Sequence, residues 1–153
     1  MILGLHHASI TTANLDRLAA FYRDRFGFET VLETAWDGDN EKADLIFGLT
    51  GSAVRMVMLR TANAFLELFQ FAQPVSPERG SDRPVYHQGL THICIAVTDL
   101  DTEYTRLVAA GMPFNSPPQH VPGLCRAVYG RDPDGNLIEL IEPDPAGSFA
   151  LTF

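Results

Sequence analysis

The amino-acid sequence predicts an α+β fold of two tandem βαβββ modules whose strands form a cup-shaped mixed sheet. Three observations carry this. Strand-like alternation and helix-like periodicity follow one another in the same order in each half. A Pro- and charge-rich stretch, "QPVSPERGSDRPVYHQG" (73–89), separates the halves. The second half also repeats residues of the first at nearly fixed spacing.

The first module spans 1–72. "LHHASITT" (5–12) alternates as a strand, with Ala8 and Ile10 on one side and His7, Ser9 and Thr11 on the other. Asn14 suits a helix N-cap; Leu15, Leu18, Ala19, Tyr22 and Phe26 follow at helical spacing, and Gly27 suits the end. Phe28 to Thr34 reads as a strand. Residues 35–50 read as a polar excursion holding one short helix near 41–47, either a lid or a plain surface loop. "AVRMVMLR" (53–60) and "AFLELFQF" (64–71) read as a hairpin turning near Ala62-Asn63.

After the 73–89 linker, the second module (90–142) restarts the pattern. "LTHICIAV" (90–97) is a strand, and Asp99 caps a helix through Ala110 with Leu100, Tyr104, Leu107 and Val108 as its apolar stripe. A strand is expected near 112–117, then a hairpin over 124–142 with Asp134-Gly135 in its turn. Residues 143–153 form a tail.

At a spacing of 85 residues, Leu5, His7, Ile10, Leu15 and Asp16 align with Leu90, His92, Ile95, Leu100 and Asp101. At a spacing of 72, Phe65, Leu66, Glu67 and Leu68 align with Leu137, Ile138, Glu139 and Leu140. The first half is therefore longer by 13 residues, and the 35–50 excursion accounts for the excess. Each half has a histidine in its first strand and a glutamate within its last. Strand alternation puts His7, Glu67, His92 and Glu139 opposite the helix-packing face, beside Ser9, Phe65, Phe69, Cys94 and Leu137.

A polar group left unpaired among apolar side chains costs about 2–7 kcal/mol, and a charge costs more. Two imidazoles and two carboxylates match one divalent cation, whose charge offsets theirs. With no thiolate in the set, a closed structural zinc site is not the expectation. A site with open positions for Mn, Fe, Co, Ni or Zn is.

Of the remaining polar residues, His87 and His120 read as solvated surface, as do Arg60, Arg126 and Arg131. Asp132 and Asp134 read as turn chemistry. Cys94 reads as small apolar lining, and Met56, Met58, Phe65 and Phe69 as pocket wall and core.

Composition bounds the class of partner. The chain has 153 residues, is 46% hydrophobic and carries a formal charge of −8, so neither nucleic acid nor an anionic membrane is the expected partner. No apolar run approaches the ~20 residues of a membrane span, and "MILGLHHASI" lacks the marks of a secretory signal. Two cysteines make no disulfide framework. The expectation is a soluble cytoplasmic protein.

The repeat, "GLHHASI" with "GLTHICIAVTDLD", "FYRDRFGFE", "LELF" and "GRDPDGNLIELIEP" resemble the vicinal oxygen chelate superfamily over about residues 4–142. That group includes glyoxalase I, methylmalonyl-CoA epimerase, extradiol dioxygenases and the bleomycin and fosfomycin resistance proteins. Its metal-dependent members take ligands from the first and last strands of both modules, which implies His7, Glu67, His92 and Glu139 here. The glyoxalase I pattern permits a glutamate where Glu67 stands, whereas the epimerases usually have glutamine. "RDPDGNL" replaces the epimerase stretch before the last glutamate. The 35–50 excursion is unusual for glyoxalase I.

The resemblance implies a metal-dependent lyase or isomerase (epimerase). Its substrate would be a small molecule with adjacent oxygens, and Glu67 or Glu139 would take the proton next to the carbonyl. It also implies a homodimer. An Fe(II) ring-cleaving dioxygenase and a non-catalytic protein that sequesters an apolar ligand are the alternatives.

Overall fold

The structure is a computed structural model and describes residues 1–77, 80 and 82–147. The chain divides into two compact units, Met1–Arg79 and Gly80–Phe153. The expected linker 73–89 includes Glu78, Arg79 and Ser81, and the expected tail includes 148–153; those positions lie outside the described residues.

The first unit runs β1 (His7–Thr11), α1 (Leu15–Phe26), β2 (Glu29–Asp37), α2 (Glu41–Phe47), β3 (Ala53–Arg60) and β4 (Phe65–Gln73). The second runs β5 (His92–Ala96), α3 (Leu100–Ala109), β6 (Gln119–Val121), β7 (Cys125–Arg131) and β8 (Leu137–Pro143). Each unit holds one four-stranded mixed sheet, ordered β1-β4-β3-β2 and β5-β8-β7-β6. The first strand pairs parallel with the last, and the other pairs are antiparallel. The chain is thus α+β with two βαβββ modules, the first carrying α2 as an insertion.

Local chemistry starts and stops the helices. The Asn14 side chain accepts from the Arg17 N–H at 3.0 Å, and Gly27 ends α1 in the left-handed region at φ 67°. The Asp99 side chain caps α3 by accepting from the Thr102 N–H at 3.1 Å. Leu15, Leu18, Ala19 and Tyr22 of α1 are buried together with Val57, Leu59, Leu66 and Leu68 of the sheet. Leu100 and Leu107 of α3 are buried together with Val128, Ile138 and Leu140. Each such side chain contributes about 1.5–3 kcal/mol on burial.

Two expectations need correction. Val108 is 46% exposed, because it lies about 100° round the helix from Leu107, off the buried stripe. The strand expected at 112–117 is found instead at Gln119–Val121, and Phe114 makes only an isolated bridge to Gly130. Pro113, Pro117 and Pro118 remove the N–H donors that a continuous ladder needs.

The repeat extends to a tie between helix and sheet. In the first turn of α1, Asp16 pairs with Arg55 of β3 at 2.7 Å; in the first turn of α3, Asp101 pairs with Arg126 of β7 at 2.6 Å. Arg126 also reaches Glu142 at 3.4 Å, and Arg131 donates to the carbonyls of Gly135 and Arg83 at 2.7 and 3.2 Å. Arg131 is thus tied to backbone carbonyls rather than left to solvent as expected, whereas Arg126 keeps a side chain 36% exposed while making its ion pairs. Among described residues, no helix is long and apolar enough to cross a membrane.

Two predictions follow from this packing. A Cβ at Gly130 would lie 2.9 Å from the Phe114 ring and 2.7 Å from Met112 Cε. Gly130→Ala should therefore destabilise the fold by about 1–3 kcal/mol in urea titrations. The arginine hydrogen bonds hold the Asp16 and Asp101 carboxyls below the ordinary value of 3.8. Their contribution to stability is present above that value and is lost as pH falls through the depressed one. The double variant Asp16→Asn/Asp101→Asn should lose less melting temperature than wild type between about pH 5 and about pH 2.

Candidate metal centre

Parallel pairing of the first and last strands fixes the geometry. In the first unit Ser9 is the register partner of Glu67, and His7 stands two residues earlier on the same face. His7 Nε2 reaches Glu67 Oε2 at 3.5 Å across that diagonal. In the second unit Cys94 is the register partner of Glu139, and His92 again stands two residues earlier. There His92 Nε2 lies 3.1 Å from Glu139 Oε2. The glutamates are the sheltered members, with side chains 15% and 17% exposed against 38% and 28% for the histidines.

The other ring nitrogen is held in the same way in both units. His7 Nδ1 meets His6 Nδ1 at 2.8 Å, and His92 Nδ1 meets Thr91 Oγ1 at 2.8 Å. His6 and Thr91 are the residues immediately before the two histidines, and they align in the 85-residue repeat. Holding Nδ1 orients the ring and directs Nε2 at the carboxylate.

Tyr129 completes the second pair. It is the register partner of Glu139 and packs edge-on against His92 at 5.1 Å between ring centroids. Desolvation, reinforced by the charge of Glu139, pushes its phenol up to about 12, so it is neutral at physiological pH. Desolvation and Glu139 likewise push the Cys94 thiol up to about 12. Cys94 therefore contributes an uncharged group to this face.

The donor chemistry fits a divalent ion. In each unit an imidazole nitrogen and a carboxylate oxygen, both donor types that suit such an ion, face each other at 3.5 and 3.1 Å. The structure brings the four expected donors together two by two. Among described residues, no three His, Cys, Asp or Glu side chains gather as a metal-holding group. A groove of about 620 Å³ in the second unit, lined by Ala96, His120, Cys125 and Glu142 among others, includes neither His92 nor Glu139.

Tyr129, Thr91 and His6 were not singled out from sequence. The alternation of "CRAVYGR" across from "LIELIEP" carries the signal for Tyr129, and the 85-residue repeat carries it for His6 and Thr91. Asp132 behaves as expected for a turn residue: its carboxylate accepts from the N–H groups of Asp134 and Asn136, both at 2.9 Å.

Two matched βαβββ units with a His–Glu pair at the same diagonal define a duplicated donor scaffold, and comparison with known proteins gives it a family. Residues 4–140 match the Glyoxalase/Bleomycin resistance protein/Dioxygenase superfamily, and the chain belongs to it. The chain is 27% identical over 145 residues to the metallothiol transferase FosB of Shouchella clausii, covering 92% of this chain and 80% of that one. A glyoxalase family protein from Bacillus cereus shares its fold with a TM-score of 0.83 at 24% identity, covering 94% and 95% of the two chains. The lactoylglutathione lyase of Agrobacterium tumefaciens superposes with a TM-score of 0.58 at 26% identity, covering 91% and 92%. Membership supports assignment to a family of metal-dependent enzymes.

Proposed function

We propose that the protein is a metal-dependent lyase or isomerase that removes a proton next to a carbonyl, with His7, Glu67, His92 and Glu139 as its donors to divalent metal. The observation that carries this reading is the duplicated pair: each half presents a sheltered carboxylate to an Nε2 whose ring is held through Nδ1. Mn, Fe, Co, Ni and Zn all suit such a set. The ion, when bound, would polarise a substrate carbonyl and favour negative charge on its oxygen.

The chain's own residues supply the rest. Glu67 or Glu139 accepts the proton, which requires an approach of about 3 Å. Tyr129, a neutral phenol hydrogen-bonded to Glu139, holds that carboxylate in place. Phe65, Phe69 and Leu137 on the same faces exclude water, which strengthens every charge interaction there. A homodimer and a cytoplasmic location accompany this proposal.

A second reading is favoured by the likeness to the metallothiol transferase of S. clausii, namely metal-assisted transfer of a thiol. Thiol consumption without α-proton exchange would select it.

Protein purified without chelators should carry about one ion per chain on elemental analysis, and His7→Ala or Glu139→Ala should lose it. Unchanged metal content in both variants would remove the donor assignment. Thr91→Val should weaken the ion's affinity about 10–100-fold by calorimetry with the melting temperature kept. With 2-oxo thioesters, hemithioacetals and α-hydroxy ketones in D₂O, metal-loaded protein should exchange the α-proton on NMR. Glu67→Gln or Glu139→Gln should slow that exchange by about 10²-fold or more.

A further inference from the structure

We propose that α2 and the aromatic residues beneath it form a specificity wall, so that the substrate of the His7–Glu67 face carries an aryl group next to its paired oxygens. This rests on the proposed function for the chemistry at Glu67, but it stands on a separate set of contacts.

The register of the first sheet shows which side chains share a face with Glu67. Its row holds Ser9, Glu67, Met58 and Leu32; the next holds Thr11, Phe69, Met56 and Thr34; the last holds Phe71, Val54 and Trp36. From Glu67 to that end no residue other than Glu67 carries a charge. Arg60 lies at the opposite end, in the row of His7 and Phe65, and pairs there with Glu29.

Over the uncharged end sits α2. Phe47 at its last position stacks on Trp36 at 6.0 Å between centroids and meets Phe69 edge-on at 5.5 Å. Phe71 lies 6.1 Å from Phe47 and 5.7 Å from Phe69. The helix is held in place from both sides of its loop. Asn40 caps it, and the Asp44 carboxylate accepts from the N–H groups of Gly51 at 2.6 Å and Ser52 at 3.0 Å. Ser52, fully buried, accepts from the Trp36 indole N–H at 2.9 Å.

Phe69 is two residues beyond Glu67, so the wall begins roughly 7 Å along the strand from the carboxylate. Phe69 and Val54 form the buried base of the wall, while Met56, Met58, Trp36 and Phe47 are half-buried and Leu32 is 49% exposed at its rim. Rings meeting edge-on, flanked by two methionine thioethers, favour an aromatic occupant over a charged one. The rows of the sheet at this end offer an anionic carrier arm no cation; the cation of α2, Lys42, is exposed.

The test uses the chain's single tryptophan, whose indole N–H gives one resolved amide-type NMR signal. Adding 2-hydroxyacetophenone to the full-length protein should shift that signal, and hydroxyacetone should not. With metal-loaded protein, kcat/KM for α-proton exchange should favour the aryl ketone by at least about tenfold. Phe47→Ala should collapse that ratio toward one. Phe47→Leu, which keeps apolar bulk and the fold, should lower it in part. An unmoved indole signal, or a ratio unaffected by both variants, overturns the wall. Equal exchange of the two ketones by wild type also overturns it, while leaving the proposed chemistry standing. A Phe47-dependent indole shift in protein that exchanges neither ketone supports the wall and removes the chemistry.

Discussion

The parallel pairing of first and last strands within each unit is the constraint on which the rest depends. A parallel pair cannot be joined by a tight turn, so each unit must send its chain through a helix and two further strands before returning. The return sets register, and register sets which side chains share a face. Sliding β4 by one residue against β1 would turn Glu67 toward α1 and bring Leu66 or Leu68 out of the core. The buried leucines therefore hold the carboxylate where it stands, and the placement of the polar pair is a by-product of packing on the opposite face.

The duplication reaches deeper than the strand order. The same diagonal joins His7 to Glu67 and His92 to Glu139. The residue before each histidine grips its outer nitrogen. An aspartate in the first turn of each helix ties to an arginine of the sheet. The copies differ in what surrounds the pair. In the second, Tyr129 and Cys94 crowd Glu139 as neutral groups. In the first, Phe65 and Phe69 flank Glu67 along its own strand, and a stacked His6 lies on Phe65 at 4.9 Å. Equivalent backbone positions have thus been given unequal surroundings.

Much of this was legible in the sequence, for reasons that can be named. Asn14, Gly27 and Asp99 mark helix ends because their side chains or backbone freedom act locally. The alternation of "AFLELFQF" gives the face of Glu67 because a strand has a period of two. The short helix expected near 41–47 is found at Glu41–Phe47, where Asn40 caps its start and Gly48 its end. What the sequence hides is pairing over distance. Asp16 and Asp101 stand out as repeated residues, but nothing local names Arg55 and Arg126 as their partners. Tyr129 lies opposite Glu139 only once the hairpin register is known. The strand near 112–117 fails because prolines at 113, 117 and 118 interrupt the ladder, moving the edge strand to the next stretch free of them.

The insertion in the first unit closes on itself. Asp37 and Ala53, the residues at its two ends, are register partners, and the Gly38 N–H donates to the Ser52 carbonyl at 3.0 Å. The whole of 38–52 is therefore a cassette hung from one rung of the ladder. Its backbone attachment can be kept by a different cassette, provided that the replacement again covers Trp36, Phe69 and Phe71, which Phe47 now packs against. An evolving or engineered descendant can rewrite this segment while the frame that presents His7 and Glu67 is inherited intact.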